Sequence, residues 1–555
     1  MEGRNLPLVL FPLCMVLFAW WYFARRSTNS VLHNLPGPSR RSFWTGNLPE
    51  YLSRHGTEFQ RHVALDYGLV SKIHGVMGAS MAKSSLIIKL TIAQRVIPYI
   101  ADPKALYTIM IKEEHIFQES ESFLIAHAIL LGSSLLSTVG DAHRRQRKLL
   151  NPAFSTTHMR SMLPIFYDVV HRLRDAISAQ VKGGPREIDM LNWLGRTALE
   201  LIGQGGLGYS FDPLVEDVQN TYGNTIKSFF ANLQALAPLR FFVPYLPKLG
   251  PAWFRRRLAE MVPQKHVQNL ITITDIMSAN SRTIYESKKA ALREGDQAVG
   301  EGKDIMSIFM RANTATSDAD RLPEDELIAQ MSTLVMAATD TTSNTLARML
   351  EILAARPDVQ DKLRREVLDA GAGIGVSYDE LDQLPFLDSF CRETLRLYPP
   401  VLILFREAKQ DTVLALSEPI IGANGRPITE LPIAKGTEVM VGVLGCNTSR
   451  ALWGEDALEW KPERWLSPLP PTVTKNTIPG VYSNMMTFLG GKRACIGFKF
   501  SEMEMKVVLS VLLSNFRFHL TDKPIEWNVA PVRYPTVGKA SDVPQLPLKV
   551  ELFKS

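Results

Sequence analysis

Residues 6–24 read LPLVLFPLCMVLFAWWYFA, nineteen positions without a charge. At about 1.5 Å per helical residue such a run crosses roughly the 30 Å of a hydrocarbon core, so the pattern predicts one membrane-spanning helix. Trp20, Trp21 and Tyr22 stand at its end, Arg25 and Arg26 follow, and Arg40 and Arg41 lie further on. Amphipathic rings favour the headgroup level and arginines the cytosolic side, so the bulk of the chain is expected in the cytosol. Pro7 and Pro12 are tolerable within a membrane helix. A cleaved signal peptide competes with this reading, but there is no clear Ala-x-Ala site, and arginines follow the apolar run more strongly than they precede it. Leu35-Pro36-Gly37-Pro38 then predicts a stiff elbow, because proline fixes φ and removes amide donors.

Beyond residue 40 the pattern changes. Residues 86–90 and neighbouring apolar runs predict short strands, whereas from about residue 100 long amphipathic stretches predict helices. The expected fold class is mainly α with minor β. No repeat of about 20–50 residues interrupts it. The polar stretch 288–303, with Gly295, Gly300 and Gly302, predicts a surface loop, and the prolines of 466–487 predict an irregular segment. The expected organisation is an anchor at 1–26, a proline-rich hinge at 27–40 and one large domain at 41–555.

Composition narrows the function. Apolar residues make up 46% and charged residues 21%, which excludes a disordered chain. A net charge of +6 spread over 555 residues is too dilute to indicate nucleic-acid binding. Four cysteines, Cys14, Cys391, Cys446 and Cys495, show neither CxxC nor Cys/His zinc spacing, so a disulfide scaffold is excluded and a reducing compartment expected.

One cysteine has special surroundings: Phe488-Leu489-Gly490-Gly491-Lys492-Arg493-Ala494-Cys495-Ile496-Gly497. Glycines on both sides let the backbone wrap round one sulfur, and Arg493 favours thiolate, which suits a metal ligand. A buried free cysteine beside a turn is the plainer possibility. A phosphate loop is ruled out because the Gly-x4-Gly-Lys-Ser/Thr spacing is absent. Phe488, Gly491, Arg493, Cys495 and Gly497 resemble the Phe-x-x-Gly-x-Arg-x-Cys-x-Gly signature of the cytochrome P450 family, most like its membrane-bound fungal members. The resemblance implies a P450-like haem-thiolate fold after the single N-terminal transmembrane helix, with haem b held by Cys495. An axial thiolate donates electron density that promotes O–O cleavage.

Three further segments match the family in order. Glu393-Thr394-Leu395-Arg396 places an acid and a base three apart on one helix face. Alone that describes countless surface pairs, but with Arg464, in Pro462-Glu463-Arg464-Trp465, it resembles a buried structural Glu-Arg-Arg network. Ala337-Ala338-Thr339-Asp340-Thr341-Thr342 is poor mid-helix chemistry, and a threonine bonding back to a carbonyl can open a helix for water. A polar helix face would explain it equally. The resemblance instead assigns Asp340 and Thr341 to proton delivery during oxygen activation, with Ala338 in place of the usual glycine. In Gly140-Asp141-Ala142-His143-Arg144-Arg145-Gln146-Arg147-Lys148, His143 and Arg147 share a face. A solvated basic helix is the ordinary explanation of such a run. By resemblance Arg147 meets a haem propionate, His143 takes the place of a usual Trp, and Arg406 and Arg493 are further propionate partners.

The combination implies a monooxygenase of an apolar small molecule, with Leu402, Ile403 and Leu404 beside the pocket and a fungal terpenoid or other secondary metabolite as substrate. Electrons are expected from NADPH through a membrane-bound NADPH–cytochrome P450 reductase, with the protein a single-pass endoplasmic reticulum protein held in the lipid bilayer through residues 6–24. A haem-thiolate isomerase or dehydratase acting without external electrons, and a non-enzymatic haem-binding protein, stay open. The first tends to lack an acid-threonine pair and the second has no need of one.

Overall fold

The structure, a computed structural model, describes residues 31–553 except 85–86, 216–220, 295–302, 319 and 476–477. The predicted span 6–24, with Cys14, Arg25 and Arg26, lies outside the described residues. Among the described residues no helix is long and apolar enough to cross a membrane. The segment Leu35-Pro36-Gly37-Pro38 docks onto the first strand. Leu35 is fully buried, the Lys72 N–H donates to the Pro36 carbonyl at 2.9 Å, and a Cβ on Gly37 would stand 2.3 Å from the Lys72 carbonyl oxygen.

Helices dominate and the sheets are small, as the amphipathic periods predict. Among the described residues the largest sheet has five strands in the order Val70–Ser84, Ile87–Ile100, Glu438–Val441, Phe405–Ala408 and Phe117–Gln118. The first two pair antiparallel from Val70 opposite Ile100, with an irregularity between His74 and Met77. They run to 15 and 14 residues rather than the short strands expected. Gly, Ala, Ser and Lys scattered through VSKIHGVMGASMAKS hide the alternation that marks a strand. Tyr99 opposite Met440 starts a parallel pairing, which brings Phe405–Ala408, and so Arg406, into the same sheet.

The helix Glu324–Ala355 is the axis of the fold. Glu324, Asp325 and Glu326 fill its first turn, where acids complement the helix dipole. It stops at Arg356, because the following Pro357 disfavours helical geometry in the residue before it. It is buried along most of its length against the helices Met190–Leu201, Lys265–Glu294 and Phe498–Asn515. One hydrophobic cluster runs from Leu32 to Val550.

Two segments depart from the expectation of irregular structure. Residues 288–294 belong to the helix Lys265–Glu294. Lys288, which reads as a loop cation, is 3% exposed and bonds to Asp304 and Ser307, each at 2.9 Å. Within 466–487 the short helix Pro471–Lys475 forms, its proline in the first turn, where no amide donor is needed.

Candidate functional site

Cys495 closes a tight loop. Its N–H donates to the Phe488 carbonyl at 2.9 Å, the Ala494 N–H to Gly491 at 3.1 Å and the Val481 N–H to Leu489 at 2.9 Å. A Cβ on Gly490 would lie 1.3 Å from the Pro479 oxygen, and Gly491, at φ +69°, would place one 2.1 Å from the Met110 oxygen. The two residues have to be glycine because backbone crosses there. Gly497 does not, since the nearest atom to its Cβ would be 3.8 Å away. Phe488 packs edge-on to Tyr482, ring centroids 5.4 Å apart. Cys495 is accessible while Cys391 and Cys446 are buried. Burial pushes the Cys495 thiol up, and the Gly497 N–H and Arg147 guanidinium pull it back.

Basic residues gather on this loop. In the helix Gly140–Leu150, His143 is buried and Arg147 half-buried, while Arg144 and Lys148 are exposed. Arg147 donates to the Ala494 carbonyl at 2.5 Å. Arg493 donates to the carbonyls of Leu135 at 3.0 Å and Thr138 at 2.6 Å. Glu119, which no local sequence signal marks, bridges Arg406 and Arg493 at 3.3 Å each. Burial first, then the charges of Arg493, Arg147 and Lys492, hold His143 down at about 3, so its ring is neutral. Arg493 feels the guanidiniums of Arg406 and Arg147 against the carboxylates of Glu119 and Glu114. The surplus positive charge beside an accessible thiol fits haem, whose iron takes a thiolate and whose two carboxylates pair with guanidinium forks.

The long helix presents Asp340 and Thr341 in different directions. Ala337, Ala338 and Thr341 form a half-buried stripe on a helix otherwise mostly buried, whereas Asp340 is 6% exposed. Hydroxyls bond back one turn: Thr341 to Ala337 at 2.7 Å, Thr339 to Val335 at 2.8 Å and Thr345 to Thr341 at 2.8 Å. These bonds satisfy the polar side chains that make the segment a poor helix on paper. Burial pushes the Asp340 carboxyl up to about 7, and Lys227 opposes the shift. Lys227 is a second residue the sequence does not mark.

Glu393, Arg396 and Arg464 come together beneath the loop. Arg396 donates Nε and Nη2 to Glu393 at 2.9 and 2.8 Å, and reaches the carbonyls of Asn447, Ala457 and Glu459 at 3.0, 2.6 and 3.2 Å. The Arg464 Nε lies 3.5 Å from Glu393, and the Trp465 indole N–H donates to Glu393 at 3.0 Å. Glu393 and Arg396 are fully buried. The network ties the helix Pro385–Leu397 to the segment leading to the cysteine loop, a step completed where Thr487 donates to the Leu395 carbonyl at 2.9 Å.

Comparison with known proteins agrees with this geometry. The family model described as Cytochrome P450 matches residues 63–531. Cytochrome P450 monooxygenase 81 of Postia placenta is 56% identical over 558 residues, covering 100% of this chain and 99% of that protein. Ganoderic acid synthetase CYP5150L8 of Ganoderma lucidum is 44% identical over 561 residues, covering 99% of each. The crystal structure of a cytochrome P450 (CYP102L1) superposes with TM-score 0.61 over 82% of this chain and 89% of that one, at 23% identity, a likeness of fold.

Proposed function

The chain belongs to the cytochrome P450 family, and on that premise we propose a membrane-associated monooxygenase that places one atom of O2 into a terpenoid or other apolar fungal metabolite. Its electrons come from NADPH through a separate reductase. Relatives at 56% identity are named monooxygenases, and the family implies haem on a cysteine thiolate, a redox partner and a hydrophobic substrate. The name of the 44%-identical ganoderic acid synthetase supports the metabolite class.

Bound haem supplies the oxidising power, and the protein supplies everything around it. Cys495 would hold it through the thiolate, and Arg147, Arg406 and Arg493 through its carboxylates, with neutral His143 packed beside them. Thr341, whose hydroxyl is fixed on the Ala337 carbonyl, presents a positioned proton carrier on the accessible stripe. Asp340, one residue earlier and at about 7, can give and retake a proton near neutral pH. Leu402, Ile403 and Leu404 run directly into the strand Phe405–Ala408 that carries Arg406, which puts apolar side chains next in sequence to the anchoring arginine. The stripe of Ala337, Ala338 and Thr341 carries the reading, since it sets a positioned hydroxyl on the less buried side of an otherwise buried helix, one residue from Asp340.

Membrane placement at the endoplasmic reticulum, catalytic part cytosolic, has two supports. One is the charge-free run at 6–24. The other is a run of exposed apolar side chains, Phe242, Tyr245, Leu249, Trp253 and Met261, each at least 50% exposed, close in sequence to Lys248 and Arg255, while Arg256 and Arg257 pair with Glu260. Large exposed apolar patches edged with cations suit a lipid surface. Membranes containing the protein and a reductase, given NADPH and candidate terpenes, test the proposal by mass spectrometry. The expected product gains one oxygen and requires NADPH. Turnover of these substrates without NADPH would support an isomerase or dehydratase instead.

A further inference from the structure

A recess of about 240 Å³, its solvent mouth included, opens where the C-terminal part of the long helix meets the hairpin that pairs Ile525–Asn528 with Tyr534–Val537. Thr345 and Arg348 line it from the helix, Pro400 from the segment ahead of the apolar wall, and Trp527 and Arg533 from the hairpin. Among the described residues its lining holds two guanidiniums and no carboxylate.

Each arginine is fixed by its neighbours. The Arg348 guanidinium carbon stands 3.8 Å from the Trp527 ring centroid and 4.7 Å from that of Tyr398, so both rings hold the cation by their π faces. Its Nη1 donates to Glu351 Oε2 at 2.8 Å, and the Trp527 indole N–H donates to the same oxygen at 2.8 Å. Arg533 is anchored through its main chain, whose N–H donates to the Pro400 carbonyl at 2.9 Å. Its Nη2 donates to the Thr57 hydroxyl at 3.2 Å, a neutral acceptor, and among the described residues it forms no ion pair. The Nε of each arginine is buried without a partner.

Arg348 and Arg533 against Glu351 leave one positive charge in excess. Burial brings Arg533 down to about 9, the charges of Arg348 and Arg61 add to the shift, and Tyr398 opposes it. A guanidinium keeps its proton inside a protein, so a counter-charge relieves that penalty where deprotonation does not. Glu351 is engaged by Arg348 and Trp527 and lies outside the lining. Asn344, whose Oδ1 is a buried acceptor, also lines the recess, but it is uncharged and two guanidiniums outweigh it. We propose that the recess between Arg348 and Arg533 is a binding site for a small monovalent anion, a halide or the carboxylate of an organic acid. The anion takes N–H bonds from both guanidiniums and joins the long helix, Pro400 and the C-terminal hairpin. Pro400 stands two residues before Leu402, so an occupied site also steadies the start of the apolar wall.

Thermal unfolding of the haem-loaded protein tests this, with sodium gluconate replaced at constant ionic strength by chloride in one arm and by acetate in the other. An anion that binds the folded state raises the midpoint along a saturating curve, because the stabilisation follows occupancy. Screening is the same in every mixture and gives no such curve. A saturating rise with either anion is the expected result, and the one that half-saturates at the lower concentration names the class of ligand. Arg533→Gln should raise the half-saturating concentration by about tenfold or more, since a charge-assisted bond is lost, and Arg533→Lys should recover part of it. Wild-type crystals soaked in bromide or in acetate give a second reading that needs no variant, with the anion expected within hydrogen-bond distance of both guanidiniums. A midpoint that neither anion moves, a curve unchanged in folded Arg533→Gln, or a recess holding only water in both soaked crystals overturns the proposal.

Discussion

Replacing Glu393 by alanine removes the carboxylate around which two buried guanidiniums and an indole are arranged. Arg396 loses both bonds to Glu393, at 2.9 and 2.8 Å, but keeps the carbonyls of Asn447, Ala457 and Glu459. Two charge-assisted hydrogen bonds at about 1.5–3 kcal/mol each give a loss of about 3–6 kcal/mol. That overlaps the about 3–5 kcal/mol expected for removing one partner of a buried ion pair. Arg464→Met should cost less, about 2–3 kcal/mol, since its Glu393 contact is 3.5 Å long and its other carboxylate, Asp456, is 33% exposed, although it also gives up bonds to the Trp453 and Asp456 carbonyls. Urea unfolding followed by circular dichroism, with the transition slope held common, reads the difference as a midpoint shift. The ranking is the test. Glu393→Ala unfolding within about 1 kcal/mol of wild type, or no earlier than Arg464→Met, would refute the reasoning.

Gly490→Ala should abolish haem loading because its Cβ would lie 1.3 Å from the Pro479 oxygen, while Gly497→Ala, with 3.8 Å of clearance, should load normally; haem absorbance per protein compares them. Thr341→Ala should bind substrate as wild type does but divert NADPH electrons to peroxide, measured as peroxide released per NADPH, and unchanged coupling would count against the hydroxyl. Reversing Arg144 and Lys148 to Glu, both exposed on the helix Gly140–Leu150, should slow reduction by the reductase at low salt and flatten its salt dependence without changing haem content. Stopped-flow rates identical at every salt concentration would eliminate that docking face.

What the sequence reveals depends on how local the chemistry is. The cysteine loop is legible because its glycines, its arginine and its cysteine lie within ten positions. The Glu393–Arg396 pair is legible because three residues make one helical turn. The basic helix divides as its spacing requires, with His143 inward and Arg144 outward. Glu119 and Lys227 are hidden because their partners are far away in sequence. Glu119 meets Arg406 and Arg493 only when two strands and a loop converge, and Lys227 comes to line the same small recess as Asp340 only through packing of two helices. Lys288 shows the converse hazard. A lysine in a polar stretch reads as solvated, yet Asp304, sixteen positions on, draws it into the interior. Gly497 corrects the assumption that every glycine round the cysteine serves a backbone crossing, since only Gly490 and Gly491 meet one.

The central claim is that the thiolate of Cys495 holds the haem. Cys391 and Cys446 are fully buried, and Cys495 is the accessible cysteine among the described residues. The reduced carbon-monoxide complex reports the ligand directly, because thiolate donation shifts its Soret band to the red. Wild type should show the red-shifted band, Cys495→Ala should lose it, and Cys495→His should retain haem without it. A red-shifted band that persists in Cys495→Ala, with activity intact, would contradict the account.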